Sequence, residues 1–502
     1  MNQPDDFSEV EYQRGADLTS AERREQIQSE DTPPEFKAFL LFQEGRLQAD
    51  AQQFEEAIAL YTQALELKPN YYRAWSDRAD ALKRLGRYEE AVDNCDRAIA
   101  LCPDRHSAWN HRGIALHHLG RYEEAIASYD QAVTILPDFH TAWYNRGLSL
   151  EKLDRTVEAL SSYDKVVQLR PDHAQAWRHR SKLLHTLKRY NEALSSYDYL
   201  IDLNTDDAKA WQQRGDVLKE MGDLEAALRS YDTALHLMPE DASLWGDRAS
   251  VLVDLQRYPE GLDSLEKALE LNPNDAKAWS LRAIACAKLQ RQDEALASCE
   301  RAIQIQADDY YPWRIRALLF RDLHQFEEEV ESCERALALN PKDVELWVHQ
   351  ATALKKLHRY EAAIASYDKA LDLQPGDATL WYQRGLALRR LGRFDSAIAN
   401  FDRALTLDPD FHPATQSRLY TLLTTGNLVS HLLGNCSALE RGRLWNDFKN
   451  ILNNLVKRKL PALIILGLSV LLTTSSQGAA LIVSGIFWAI ATWSDIIREA
   501  EK

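Results

Sequence analysis

The sequence predicts an all-α protein: a solenoid of about eleven helix-turn-helix repeats, followed by a transmembrane helical hairpin. Three observations lead there. Trp75, Trp109, Trp143, Trp177, Trp211, Trp245, Trp279, Trp313, Trp347 and Trp381 are each 34 residues apart. Within each period two apolar stretches recur at helical spacing, broken near Gly86, Gly120, Gly222 and Gly392 and closed by proline. Further along, Leu460 to Ser494 is a run of 35 residues without a charge.

Residues 1–37 come first. They carry ten acids against four bases and few large apolar residues, and Pro33 and Pro34 close them, a composition expected of a disordered acidic lead. No apolar segment follows a basic start, so no cleavable signal peptide is expected.

One repeat, with Leu41 in the Trp place, precedes the first tryptophan, and eleven repeats run from about 38 to 411. Each repeat is numbered here from three residues before its Trp. Position 8 is Gly or Ala in all but one repeat, the exception being Ser181. Position 20 is Ala in nine, with Gly261 and Glu329 as departures. Position 24 is mostly aromatic, position 27 mostly Ala, and position 32 Pro in nine of eleven. Small residues at 8 and 20 let two helices approach closely, and large ones at 4, 11 and 24 fill the space around that contact. Proline ends the second helix. One hairpin cannot bury its own face, so neighbours must stack. A carboxylate at Glu329, in the close contact of the ninth repeat, is expected to disturb the hairpin locally.

Arg stands at position 7 in nine of the ten Trp-bearing repeats, with Gln350 the exception, and Asp or Glu at position 25 in all ten. An Arg–acid bridge, within the hairpin or to a neighbour, is expected. The first repeat lacks all three features, having Leu41, Glu44 and Thr62 instead. Cys95, Cys299 and Cys333 occupy position 24 and Cys286 position 11, both core positions, and no CxxC occurs, so the thiols read as small buried hydrophobes. His111, His117, His118, His179 and His185 cluster in repeats three to five. His111 and His179 share a position two repeats apart, which at ~8–10 Å per packed helix is too far for one metal ion. Neither a metal nor a cofactor is expected.

After 411 the Trp period stops. Residues 412–459 are expected to supply a capping helix, from His412 to about Thr424, and a basic amphipathic neck. The neck has Leu444, Trp445, Phe448, Ile451, Leu452 and Leu455 on one stripe, among Arg441, Arg443, Lys449, Lys457, Arg458 and Lys459. Residues 460–494 divide at a polar Thr-Thr-Ser-Ser-Gln-Gly turn into two apolar runs. Each run spans roughly 22–26 Å as a helix, enough for a membrane hairpin when flanking residues are added. Lys457 to Lys459 keep that flank in the cytoplasm by the positive-inside rule, and 495–502 return to the same side as a tail.

These residues resemble the tetratricopeptide repeat (TPR) family over about three quarters of the chain. The wording Trp109-Asn-His-Arg-Gly-Ile-Ala-Leu, then Gly120-Arg-Tyr-Glu-Glu-Ala-Ile-Ala-Ser-Tyr-Asp, is similar to bacterial arrays, cyanobacterial ones especially. The resemblance implies a right-handed superhelix whose first helices line a concave groove for a peptide or protein partner. By the family register, positions 2, 5, 6, 9, 12 and 13 face that groove. They hold Arg73, Asp77, Asp80, Lys83 and Arg84 in the second repeat, and Tyr144, Asn145, Arg178 and His179 in the fourth and fifth. Asp216, Glu220, Asp247 and Asp254 make the sixth and seventh acidic, whereas Lys355, Lys356, Arg389 and Arg390, with Tyr382 among them, make the last two basic. Such charge blocks suit a long, charge-patterned partner. The family subtype that holds chaperone C-terminal carboxylates fits poorly: Asn145 matches its middle slot, but Asn110, Ile114, Gln175 and His179 do not match the others.

Composition narrows the function further. The net charge is −16, divided as −6 in 1–37, +4 from 412 onward and −14 in the repeats, which argues against nucleic acid as a partner. Outside the repeats lie 37 residues before and 91 after, too few for a catalytic domain, and no P-loop, Rossmann glycines, nucleophile elbow or HExxH appears. No small-molecule substrate is evident. The expected function is a non-enzymatic, integral-membrane scaffold or adaptor, its solenoid facing the cytoplasm, holding protein partners for assembly of a membrane complex. The alternative is a regulatory or accessory subunit of a membrane enzyme or transporter.

Overall fold

A computed structural model describes residues 18–425, and among them are 24 α-helices. α1 (Ser20–Gln28) comes first. Eleven hairpins follow, from α2 (Pro34–Asp50) and α3 (Phe54–Leu67) to α22 (Ala378–Arg390) and α23 (Phe394–Leu407), and then α24 (His412–Thr424). Contacts divide the chain into two units, meeting at Leu244 and Trp245. The neck, the charge-free hairpin and the tail expected after 425 lie outside the described residues. Among the described residues no helix is long and apolar enough to cross a membrane.

The turn inside each hairpin is set by register rather than by glycine. Position 15 is left-handed in all eleven repeats, with φ between 55° and 83°, yet only Gly86, Gly120, Gly222 and Gly392 are glycines. Gln52, Asp154, Lys188, Gln256, Gln290, His324 and His358 accept the same conformation. The reversal lets the next amide reach back, as Arg87 N–H does to the Leu82 carbonyl at 3.0 Å, satisfying the helix end.

The close contact between paired helices is a matter of complementary volume. A Cβ placed on Gly45, Gly113, Gly147, Gly215 or Gly385 would lie 2.5–2.7 Å from the ring of Tyr61, Tyr129, Tyr163, Tyr231 or Phe401, its partner at position 24. Where position 8 is Ala79, Ala249, Ala283 or Ala317, position 24 is Cys95, Leu265, Cys299 or Cys333. In these four repeats the ring is exchanged for a smaller group where the glycine is exchanged for a larger one, whereas Ser181 and Ala351 face the rings of Tyr197 and Tyr367. The cysteines of the described residues are buried free thiols, and burial pushes Cys95 and Cys299 up to about 12, as expected of core groups.

The tryptophans hold the repeat boundary instead of filling the core. They are half-buried. The indole N–H of Trp75 donates to the Pro69 carbonyl at 2.9 Å, and those of Trp109, Trp143 and Trp177 reach the equivalent proline carbonyls at 2.8 Å. Their outer faces carry the position-7 guanidinium, with Arg78 5.0 Å from the Trp75 ring centre.

That guanidinium bridges backward. Arg112, Arg146, Arg180, Arg214 and Arg384 reach Asp96, Asp130, Asp164, Asp198 and Asp368 of the preceding repeat at 2.6–2.7 Å. Each also donates to position 23 of its own repeat, as Arg146 does to Ser162 at 2.7 Å. Where position 25 is Glu266 or Glu300, one methylene longer, no bridge forms to Arg282 or Arg316 within the described residues, and Arg282 turns to Glu294 at 3.3 Å.

Both ends continue this pattern in altered form. The acidic lead is ordered where it is described: α1 has Thr19 as N-cap in a capping box with Glu22, and α2 already begins at Pro34, so the disorder expected up to residue 37 is corrected for 18–37. Glu44, the departure at position 7, is buried and reaches back to Arg24 of α1 at 3.0 Å, with Arg23 at 3.8 Å. The polarity of the inter-repeat bridge is reversed, so α1 covers the first repeat as a preceding repeat covers the others. At the far end α24 keeps the register, and its Arg418 pairs with Asp402.

Glu329 does not distort its hairpin. α19 (Phe326–Leu339) is an unbroken 14-residue helix like its counterparts, with Glu329 only 1% exposed inside it. The cost appears as chemistry instead: one carboxylate oxygen has no hydrogen-bond partner, and burial raises the group to about 7.

Candidate functional site

Within each unit the first helices of consecutive repeats touch, as α4 (Tyr72–Arg84) touches α6 (His106–His118) and α22 touches α24. Position 6 of one repeat thereby meets position 9 or 12 of its neighbour. This interlocking brings the predicted groove residues together in three groups.

The first surrounds a cavity of about 400 Å³ lined by Arg46, Asp50, Asp77, Asp80, Arg84 and His111, among others. Lys83 Nζ is 2.5 Å from Asp80, and Arg84 Nε 3.9 Å from the same carboxylate. Asp80 accordingly titrates below the usual carboxylate range, despite opposing burial, because Lys83 and His111 stand beside it. Asp77 has no such cation in contact, and burial lifts it to about 6. Burial likewise drives His111 down to about 4, leaving it neutral. Arg73 lies outside this cavity, exposed, with its Nε donating to the Tyr72 hydroxyl at 3.1 Å.

The second group is aromatic. Tyr144 packs 4.8 Å from the His173 ring and 5.9 Å from that of His179. His179 Nδ1 is 2.8 Å from Glu151, which also accepts from the Tyr163 hydroxyl at 2.5 Å. Asn145 donates to Asn110 at 3.3 Å, and Arg178 is held by Asp207 at 2.5 Å. These side chains knit repeats together and are already engaged. His117 and His185 behave alike, meeting Ser149 at 2.7 Å and Glu220 at 3.2 Å.

The third group is basic. Lys355 donates to Gln383 at 2.7 Å, Arg389 lies 5.2 Å from the Tyr420 ring centre, and Lys356 and Arg390 are exposed. Tyr382 packs edge-on to Phe411 at 5.2 Å and beside Phe401 at 5.9 Å. Burial and neighbouring cations hold both Lys355 and Arg389 below their ordinary values. Of the acidic block, Asp216 accepts from the Tyr231 hydroxyl at 2.6 Å, and Glu220 also accepts from Tyr190 at 3.0 Å.

Sequence reasoning passed over Glu151, Asp207, Gln383 and Tyr420. Glu151 and Gln383 were findable, since they fall on groove positions 12 and 6. Tyr420 lies beyond Trp381, the last Trp of the 34-residue period, and only the persistence of that register into α24 exposes it.

The Tetratricopeptide repeat family model matches residues 42–106, 144–208, 247–312 and 348–410, together just over half of the chain. Further TPR models match 94–127, 115–154 and 208–241. Among solved structures, the chain is similar to YrrB, described as a TPR protein with an unusual peptide-binding site. The identity is 21%, covering 38% of this chain and 97% of that one, with a TM-score of 0.35. MamA from Desulfovibrio magneticus RS-1 is 21% identical over 34% of this chain and 96% of its own, with a TM-score of 0.32. A tetratricopeptide repeat protein from Parabacteroides merdae is 19% identical over 50% and 98%, with a TM-score of 0.35. No curated protein matches the chain.

Proposed function

The chain belongs to the tetratricopeptide repeat family, and from that premise we propose that it is a membrane-anchored scaffold of bacterial type. Proteins of this family act in general as protein-interaction scaffolds. Here the face of the first helices receives a protein or peptide partner at the cytoplasmic side of a membrane, for assembly of a membrane complex. The observation that carries this reading is the row of touching first helices, on which Lys355, Lys356, Arg389 and Arg390 have no carboxylate in ion-pair reach among the described residues. Residues spent on repeat-to-repeat contacts, such as His179 and Arg178, hold the row in place.

Anchoring is supported by the sequence: the 35 charge-free residues of 460–494 follow the basic cluster Lys457 to Lys459. A non-enzymatic role is part of the proposal: no P-loop, Rossmann glycines, nucleophile elbow or HExxH occurs in these 502 residues. Affinity purification of the full chain from native membranes, followed by identification of co-purifying proteins, tests the scaffold; recovery of no specific partner under crosslinking would defeat it. Alkali extraction of the membrane fraction tests the anchor, which predicts that the full-length protein stays with the lipid.

A further inference from the structure

We propose that the face formed by α20 (Val344–Lys356), α22 and α24 is a receptor for an acidic peptide segment, gripped through Lys355 and Arg389. The proposal rests on the scaffold reading and names the chemistry of its partner.

The chain carries 76 acids against 60 Lys and Arg, yet α22 and α24 contain no acid, and α20 contains only Glu345. Glu345 is turned to Arg314 of the preceding repeat, with His349 of its own helix at 3.6 Å. The ion pairs within this stretch, Arg384 with Asp368 and Arg418 with Asp402, use other cations and draw their acids from second helices. Lys355, Lys356, Arg389 and Arg390 have no carboxylate within ion-pair distance among the described residues. Charged groups at position 12 of other repeats fare differently: Lys83 has Asp80 at 2.5 Å, Glu151 has His179 at 2.8 Å, and Arg321 has Asp322 at 3.0 Å.

Four like charges gathered without a counter-charge raise one another's energy, and Lys355 and Arg389 show it: after burial, the cations beside each are what holds its proton affinity down. Arriving carboxylates would relieve that repulsion, which is where charge complementarity becomes affinity and on-rate. The shape selects a peptide over a lipid surface. Lys355 and Arg389 are half-buried, one tied to Gln383 and the other stacked on Tyr420, while Lys356 and Arg390 stand out. A flat layer of headgroups reaches the outer pair. An extended chain reaches all four and rests apolar side chains on Tyr420, which is 45% exposed. These are positions 12 and 13, not the slots by which the chaperone-tail pattern is recognised.

The test is a fluorescence-anisotropy titration of the full-length chain with a short labelled peptide alternating Glu and Leu. The same peptide with Lys for Glu, and phosphatidylserine vesicles, form parallel arms. Binding of the Glu peptide should weaken with salt and fall by roughly tenfold or more in a Lys355→Glu, Arg389→Glu variant. A matched reversal of exposed charges, Lys342→Glu with Arg335→Glu, should leave it nearly unchanged. If the charge-reversed variant loses its circular dichroism, Lys355→Gln with Arg389→Gln replaces it. Equal binding of the Lys peptide, or insensitivity to both pairs of substitutions, overturns the assignment. So does a Lys355 and Arg389 dependence seen only with vesicles. Should affinity purification recover a membrane partner equally well with the variant, the scaffold stands and this assignment falls. Peptide binding as expected with no partner recovered gives the reverse.

Discussion

Gly113→Ala is the sharpest probe of how these hairpins are built. An added Cβ would lie 2.5 Å from Tyr129 Cε1 and 2.8 Å from Cδ1 and Cζ, where carbon atoms ordinarily sit about 3.5–4.0 Å apart. Tyr129 is 1% exposed, so its ring has nowhere open to go. Overpacking of this depth costs about 3 kcal/mol, the upper end of the usual range. Alanine regains about 1 kcal/mol of helix propensity over glycine, leaving a net destabilisation of about 2 kcal/mol. In a Tyr129→Cys background, which imitates the native Ala79 and Cys95 pair, the clash disappears and the same Gly113→Ala change should stabilise by about 1 kcal/mol. A long array does not unfold in one step, so the readout is hydrogen exchange of the amides in α6 and α7 (Tyr122–Ile135), which reports local opening free energies. Ser181 opposite Tyr197 and Ala351 opposite Tyr367, all four buried, show that a hairpin can be assembled around a small side chain and a ring. What Gly113→Ala tests is a hairpin set for glycine. The same sign in both backgrounds would refute the complementary-volume argument.

Two further outcomes are expected. Glu329 releases its proton near 4.5 when unfolded and near 7 when folded, so the folded repeat binds more protons between those values. Stability of the ninth repeat therefore falls as pH rises from about 4.5 to about 7, by on the order of 3 kcal/mol, and the penalty persists above pH 7. Glu329→Ala should abolish this slope relative to wild type and stabilise at pH 8, as read by exchange of α19 amides at both pH values; parallel slopes would discard the idea. Glu266→Asp should restore the backward bridge to Arg282 and add ~0.5 kcal/mol, with a smaller gain in high salt. Hydrogen exchange of the amides around Arg282 at low and high salt checks this, and no salt-dependent gain would count against the length argument.

Much of this architecture was legible from the sequence because a repeat is its own alignment. The Trp period, extended back to Leu41, placed all eleven hairpins, and the small residues at positions 8 and 20 marked the close contact, with position 24 among the large residues around it. The order of α1 was not legible, since a short polar helix has no apolar stripe of its own and is fixed by Arg23 and Arg24 reaching a buried Glu44. Likewise, the sequence marked Arg178, His179, Lys355 and Arg389 equally as groove residues, whereas two of them are bound to neighbouring carboxylates and two are not.

The sequence alone therefore determined the helical period, the hairpin turns, the small-against-large packing and the charge-free run from Leu460 to Ser494, all of which are periodicity or composition. Tertiary structure alone decided the direction of the Arg bridges, the sealing of the first repeat and which cations remain available. Those depend on side chains 16 to 35 residues apart meeting across stacked helices, as Arg146 meets Asp130 and Asn145 meets Asn110. A difference of one methylene, Asp130 against Glu266, is enough to make or lose the contact.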